Sequence, residues 1–385
     1  MKYFQLIWTG LWRKKVRTIF TMLSIIVAFL LFGMLQGINT TFKQLVNQGR
    51  LNVLVTTNPA GLPLPLADLS QIQNVHGVTR VTYRGLFIGD YQSLQNIAIV
   101  LPVDPENYFA ENAQFNVSQR DRDAFLHNRT GALVMKSVAD RLGWKVGDRI
   151  PIQAFNARKK DGTSTWTFDL VGTFDIPNSP IREEPILFMN YDYFDTGRAT
   201  DTGTVLVYQE MITDASQAAT ISNAIDNLFA NSPNRTHTET ERSNAQGQLA
   251  QFGDLDFFVE AIVGASFATL LLLTGTTLMQ AYRERIREFA VMKTIGYTDR
   301  GISALVLSEA ILLTLGSALL GLLIARTALP IIGSALSRYG LPGLELPRIV
   351  LLIGIAFAVL LALISAVPAA MRAERLSIVD ALAMR

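Results

Sequence analysis

IFTMLSIIVAFLLFGMLQGI, Ile19 to Ile38, is 20 residues without a charge. A helix needs about 20 predominantly apolar residues to cross ~30 Å of hydrocarbon, so this stretch reads as a membrane span. Its apolar run exceeds the roughly 7–15 residues of a signal peptide, and no small-x-small cleavage site follows. The reading is an uncleaved anchor. Three further blocks share the character: Phe257–Tyr282 with one acid, Glu260; Ile302–Ala325 with one acid, Glu309; and Ile349–Val367, 19 uncharged residues ending at Pro368. Buried core helices seldom stay uncharged for so long. Four such blocks predict a membrane protein with four spans.

Composition agrees. Of 385 residues only 17% are charged and 49% are hydrophobic, with a mean hydropathy of +0.27. Soluble domains carry about 25% charge. With 34 Lys+Arg against 32 Asp+Glu the net charge is +2, no sign of the basic face a nucleic-acid binder needs. The chain has no cysteine, which excludes disulfides, thiolate metal sites and cysteine nucleophiles. His76, His127 and His237 lie far apart without ligand-like spacing, so no metal site is expected.

Basic flanks give the orientation. Lys2, Arg13, Lys14, Lys15 and Arg17 precede the first span; Arg283, Arg285, Arg287, Lys293 and Arg300 lie between the second and third; Arg372, Arg375 and Arg385 follow the fourth. All three segments are expected in the cytoplasm. The expected order is a cytoplasmic segment 1–18, span 19–38, periplasmic domain 39–256, span 257–282, cytoplasmic link 283–301, span 302–325, periplasmic loop 326–348, span 349–367 and cytoplasmic tail 368–385.

Residues 39–256 hold 18 Lys+Arg and 24 Asp+Glu, a net of −6, and are long enough for their own core. Strand patterns at 51–56, 78–83, 149–154, 165–174 and 204–208 alternate with helical ones at 69–75, 137–142 and about 215–229. The sequence predicts an α+β domain of two lobes, one inserted in the other, with ARKKDG (157–162) as an exposed hairpin loop. Residues 236–256 are polar and read as a helical stalk entering the second span. No Ser/His/Asp set or metal cluster emerges, so no catalytic residue is expected. Asn116 and Asn128 head N-x-[ST] triplets that match at chance level.

Two segments carry a family resemblance. RERIREFAVMKTIGYT (283–298) and PAAMRAERLSIVDALA (368–383) resemble the cytoplasmic signatures of MacB/FtsX/LolC-type permeases of ABC transporters. TGLWRKKVRTIFTMLSIIVAF looks like that family's entry into its first span, and GALVMKSVADRLGWKVGDRIPIQ, FDLVGTFD and ILFMNYDYF are similar to its periplasmic domain. The resemblance covers nearly the whole chain and implies a bacterial inner-membrane permease. In that family ATP-driven movement on the cytoplasmic side drives the periplasmic domains to export or extract lipids, lipoproteins, peptides or drugs.

The same resemblance implies a coupling helix in the 283–301 link. Ile286, Phe289, Ala290, Val291, Met292 and Ile295 cover one broad side of a short helix, and Arg285, Arg287, Glu288 and Lys293 supply a charged side. Phe289, Met292 and Ile295 are expected to share the face presented to an ATPase, and Gly296 is a natural residue to end the helix. No Gly-Lys pair occurs, hence no phosphate-cradling G-x-x-x-x-G-K-[ST] loop. The expectation is that this chain binds no cofactor and that a separate ABC ATPase uses ATP and Mg. The other implied partners are a second permease copy or paralogue, a periplasmic adaptor and membrane lipids, with no nucleic acid.

Glu309 is the eighth residue of the third span, about 10 Å below its cytoplasmic end at 1.5 Å per residue. An acid there needs protein or water around it, and a structural ion pair or a protonated, hydrogen-bonded form is expected ahead of a transport relay. Gly33 and Gly37 form a G-x-x-x-G that permits close helix approach, within one chain or between two. The rival functional class is an FtsX-like signalling subunit that regulates a periplasmic cell-wall hydrolase. A third class, an anchored periplasmic enzyme, lacks a catalytic constellation.

Overall fold

The computed structural model describes residues 9, 12–177, 185–251, 253–337, 339 and 343–375. The eight carboxy-terminal residues of PAAMRAERLSIVDALA and the tail beyond them lie outside the described residues, as does Lys2. The helices, in chain order, are α1 (Lys15–Gln48), α2 (Leu69–Gln73), α3 (Tyr108–Glu111), α4 (Gln119–His127), α5 (Lys136–Leu142), α6 (Tyr191–Gly197), α7 (Ala218–Leu228), α8 (Glu241–Ala250), α9 (Leu255–Glu284), α10 (Ile286–Thr294), α11 (Asp299–Ser337) and α12 (Arg348–Glu374). The chain divides into two compact units, one built from Met1–Thr40, Asp254–Pro330 and Glu345–Arg385, the other from Thr41–Gly253 and Ile331–Leu344.

Among its described residues the first unit contains helices and the links between them, without a strand. α1, α9, α11 and α12 are each long and apolar enough to cross a membrane. α11 keeps its helix past the expected end of the third span as far as Ser337, taking in Pro330, so the link 326–348 is helical over its first half. Small residues set how closely these helices approach. A Cβ on Gly321 would sit 2.5 Å from the Ile26 carbonyl oxygen, one on Gly33 2.7 Å from the Ala325 Cβ, and one on Gly37 2.5 Å from the Leu329 Cδ1. Gly321, Ala325 and Leu329 repeat every four residues, so one face of α11 lies against one face of α1. The G-x-x-x-G is therefore a packing motif inside this chain. α12 buries Ala358, Ala362, Ala366, Ala369, Ala370 and Ala373. Phe29, Phe32, Phe267 and Phe357 meet edge-on or tilted, with ring centroids 5.0–6.4 Å apart.

The second unit contains thirteen strands among the described residues: β1 (Val53–Thr57), β2 (Leu64–Pro65), β3 (Val78–Arg84), β4 (Phe87–Tyr91), β5 (Ser93–Val103), β6 (Asn116–Val117), β7 (Gly131–Met135), β8 (Arg149–Ala154), β9 (Thr165–Asp175), β10 (Ile186–Asn190), β11 (Thr204–Val205), β12 (Val207–Ile212) and β13 (His237–Thr240). β10, β7, β9, β8, β4 and β5 pair in that order, and β5 pairs back to β10 in parallel, Ile99 opposite Ile186. The six strands thus close into a barrel. β8 alternates buried and exposed residues as a one-sided strand should, whereas GALVM (β7) and ILFMN (β10) are buried throughout. The barrel core holds Tyr108 against Phe109, Phe115 and Phe188, with Phe125 and Phe174 packed on those rings, and Trp166 beside the stacked pair Phe87 and Phe194. Each such ring contributes roughly 1.5–3 kcal/mol by burial.

The second lobe is an antiparallel sheet in the order β3-β12-β1-β13. α2 and α7 supply Ile72, Ile221 and Ile225 to a core shared with Leu54, Val81, Tyr208 and Ile212. The barrel lobe enters the chain between β3 and β12, which are paired neighbours: Arg84 stands opposite Val207. The stretch 204–208, expected as one strand, is split between β11, which pairs with β2, and β12. The polar stretch 236–256 also differs from expectation. Its first residues pair with β1 as β13, since threonines at 236, 238 and 240 favour a strand. α8 begins where Thr240 accepts a bond from the Ser243 amide. Arg50 ties this end of the lobe together. Its backbone and side chain donate to the Glu241 carboxylate, and its guanidinium also donates to the Glu111 carbonyl and Asn112 Oδ1.

Candidate functional site

α9, α10 and α11 are consecutive, and the site grows from the two corners between them. Arg285 makes the first corner: its backbone (φ −109°, ψ 8°) leaves the helical region between α9 and α10. Gly296 makes the second at φ +104°, a conformation open to glycine. There the Gly296 amide donates to the Lys293 carbonyl and the Tyr297 amide to the Met292 carbonyl, the paired bonds of a Schellman ending. Thr298 then caps α11 through the Gly301 amide.

Between the corners α10 is docked, not free. Phe289 is 1% exposed and stacks on Tyr282, with ring centroids 6.0 Å apart at 18°. Around that pair lie Ile302, Leu305, Val306, Ala369 and Ala373, with Ile286 and Met292 packed against them. The Tyr282 hydroxyl donates to the Arg372 carbonyl at 2.9 Å. Lys293 forms an ion pair with Asp299 at 2.7 Å and donates to the Glu374 carbonyl.

The expected presentation needs correction in two respects. Phe289 and Met292 do not share an outward face with Ile295; they face the helix's own bundle, because the ends of α9, α11 and α12 lie on that side. Arg285 and Lys293 do not form a solvated charged side either, since both are buried in ion pairs. The outward face is Arg287, Val291, Thr294 and Ile295, and Ile295 is 75% exposed. Glu288 is half-buried.

Charge fixes α10 further. Arg285 Nη1 donates to Glu309 Oε2 at 2.6 Å, and its Nε reaches Glu288 Oε2 at 3.3 Å. Its guanidinium lies 5.0 Å from the Phe289 ring centroid. From the amino-terminal end of α1, Lys14 and Arg17 both bond Glu284, at 2.8 and 2.9 Å, and Arg13 pairs with Glu288. Arg17, Thr18, Thr21, Arg285 and Glu309 line a cavity of about 40 Å³. Sequence reasoning did not find the part played by Arg13, Lys14 and Arg17; the signal was their opposite charge to Glu284 and Glu288, which only the fold brings near. Among the described residues no group of His, Asp and Glu could hold a metal ion.

A chain of four apolar helices with a large α+β insertion after the first is a multi-pass membrane protein in architecture. The sequence model of the MacB-like periplasmic core domain matches residues 18–228, more than half of the chain, and that of the FtsX-like permease C-terminal region matches 261–378. The chain belongs to the MacB/FtsX-like permease family, whose members are membrane transport components that work with ABC ATPases. Two solved structures are similar in part. The extracellular domain of the noncanonic ABC-type transporter YknZ from Gram-positive bacteria shares 12% identity at a TM-score of 0.36, over 49% of this chain and 99% of that one. The periplasmic region of MacB from Actinobacillus actinomycetemcomitans shares 11% at 0.38, over 52% and 94%. No curated protein sequence matches.

Proposed function

We propose that this chain is the permease subunit of a bacterial inner-membrane ABC transporter whose separate ATPase docks on α10. Both chain ends face the cytoplasm and the large domain faces the periplasm, where nucleotide-driven movement exports or extracts an apolar or amphiphilic substrate. The observation that carries this reading is α10 itself: a short helix held rigidly by one side and offering Arg287, Val291 and Ile295 on the other. A helix fixed to three span ends passes on a push; one loose on the lipid surface would not.

The test is co-purification of the cognate ATPase with wild type and with Val291→Glu/Ile295→Glu. Both side chains are exposed, so insertion should be unchanged while ATPase recovery falls at least tenfold. Full recovery would show that α10 is merely a link. Orientation has its own test: alkaline phosphatase fused after Asn156 should be active and after Tyr297 inactive. The rival reading is an FtsX-like signalling subunit that regulates a periplasmic cell-wall hydrolase. A periplasmic hydrolase captured on the large domain, with no substrate moved, would establish it instead.

A further inference from the structure

The docked helix raises the question of what carries its motion into the membrane. Most of the α10 anchors are side chains packed at the ends of the spans. One reaches inside: Arg285 bonds Glu309, which lies between turns of α11 and not at its end. The two side chains are 10% and 13% exposed, so the pair is shielded. Arg285 is also the hinge residue between α9 and α10, and it holds Glu288 on α10 at the same time. One guanidinium thus joins the end of one span, the coupling helix and the interior of the next span. Its planar fork of five donors suits this, whereas a lysine ammonium offers no such fork.

We propose that Arg285 and Glu309 are a positioning pair, the link through which displacement of α10 becomes displacement of α11. This rests on α10 being the ATPase-coupling element. Docking needs only the outward face, and hydrolysis belongs to the ATPase, so breaking the pair leaves both and removes the transmitted movement. Breaking it from the Glu309 side should not unfold the site, because Arg285 keeps Glu288 and Phe289.

The experiment uses the full permease with its ATPase in nanodiscs and spin labels at two exposed positions of the large domain. Distances are read without nucleotide and after trapping with ATP and vanadate. For Glu309→Gln the expected result is wild-type ATPase content, hydrolysis within about twofold, and loss of most of the nucleotide-dependent distance change. The swap Arg285→Glu/Glu309→Arg should recover at least half of that change. Arg285→Lys keeps the charge without the fork, so an intermediate loss is expected; it carries the test if Glu309→Gln does not accumulate in the membrane. A wild-type distance change in Glu309→Gln, or in Arg285→Lys where that variant stands in, overturns the pair. So does loss of the ATPase from Glu309→Gln at matched membrane level, which would make the pair a docking support. If wild type itself binds no ATPase or shows no distance change, the coupling reading of α10 fails, a different outcome from these.

Discussion

The large domain and the span bundle each bury a carboxylate, and they treat it in opposite ways. Glu210 on β12 is wholly buried between Leu54 and Val81 of the flanking strands, where the nearby Thr56 hydroxyl offsets only part of the loss of water. Burial, with the nearby Asp226 charge adding to it, pushes its carboxyl up to about 8. The acid is tolerated there by staying protonated. Glu309 in α11 is instead held by Arg285. A water-solvated domain can exchange a proton with its surroundings; a span linked to a moving part gains from a bond that ties two elements together.

The packing differs in the same sense. The domain buries its largest side chains, Trp166, Tyr191 and Tyr208 among them. The spans meet at glycines and alanines, with Ile25, Phe29 and Leu322 buried beside them, and turn other leucines outward to lipid, Leu272 being 69% exposed. Lipid tails are as apolar as leucine, so burying a large side chain gains little there and close backbone approach gains more.

The sharpest way to break this contrast is Arg285→Met, which strands Glu309. Removing one partner of a buried pair costs about 3–5 kcal/mol, whereas replacing both with apolar residues can be neutral. Thermal unfolding in detergent should show a large loss for Arg285→Met and recovery of most of it in Arg285→Met/Glu309→Met.

Glu210→Gln should do the opposite. A folded-state value raised from 4.5 to about 8 means that the stability contribution is complete below pH 4.5. It is lost as pH rises towards 8. The glutamine variant removes that loss, so it should match wild type near pH 4.5 and exceed it at pH 9 by on the order of 3 kcal/mol, at about 1.4 kcal/mol per unit with allowance for relaxation. Denaturant titrations of the full chain at the two pH values check this, and parallel curves for the two proteins would refute it.

Gly321→Leu comes next. Its side chain would meet the α1 backbone, which cannot give way, so overpacking should cost about 1–3 kcal/mol and lower the yield of folded protein. Leu272→Ala should be the mildest, within about 0.5 kcal/mol by the same unfolding measurement, because the residue packs on lipid. A Leu272 effect larger than that of Gly321 would reverse the contrast.

The fold class was legible because its signals are local. Four long apolar runs give the spans, and β8 and α5 fall within a residue of the positions that alternation and helical spacing assign to them. Barrel closure was not legible, since it depends on Ile99 meeting Ile186 across 87 residues and no local pattern records that. Glu210 passed unnoticed for a similar reason: one acid in a strand is unremarkable until both flanking strands are seen to bury it. For α10 the apolar periodicity was right and its direction was not. A stripe of apolar residues says that one side is covered, and the sequence alone does not say whether its own bundle or a partner does the covering.

The register of β3 and β12 has a consequence for how this domain can vary. The chain leaves the β3–β12 pair at Arg84 and comes back opposite it at Val207, so to that pair most of what lies between is one very long hairpin connection, although β11 and Tyr191 return to the lobe. Loop-closure entropy grows only with the logarithm of length, about 0.6 kcal/mol for each doubling, so the sheet is nearly indifferent to what is strung between those two residues. The barrel lobe is in this sense a cartridge. Exchanging it for another lobe would leave the β3–β12–β1–β13 pairing and the Arg50–Glu241 pair in place, and would remove the bonds that Arg50 makes to Glu111 and Asn112.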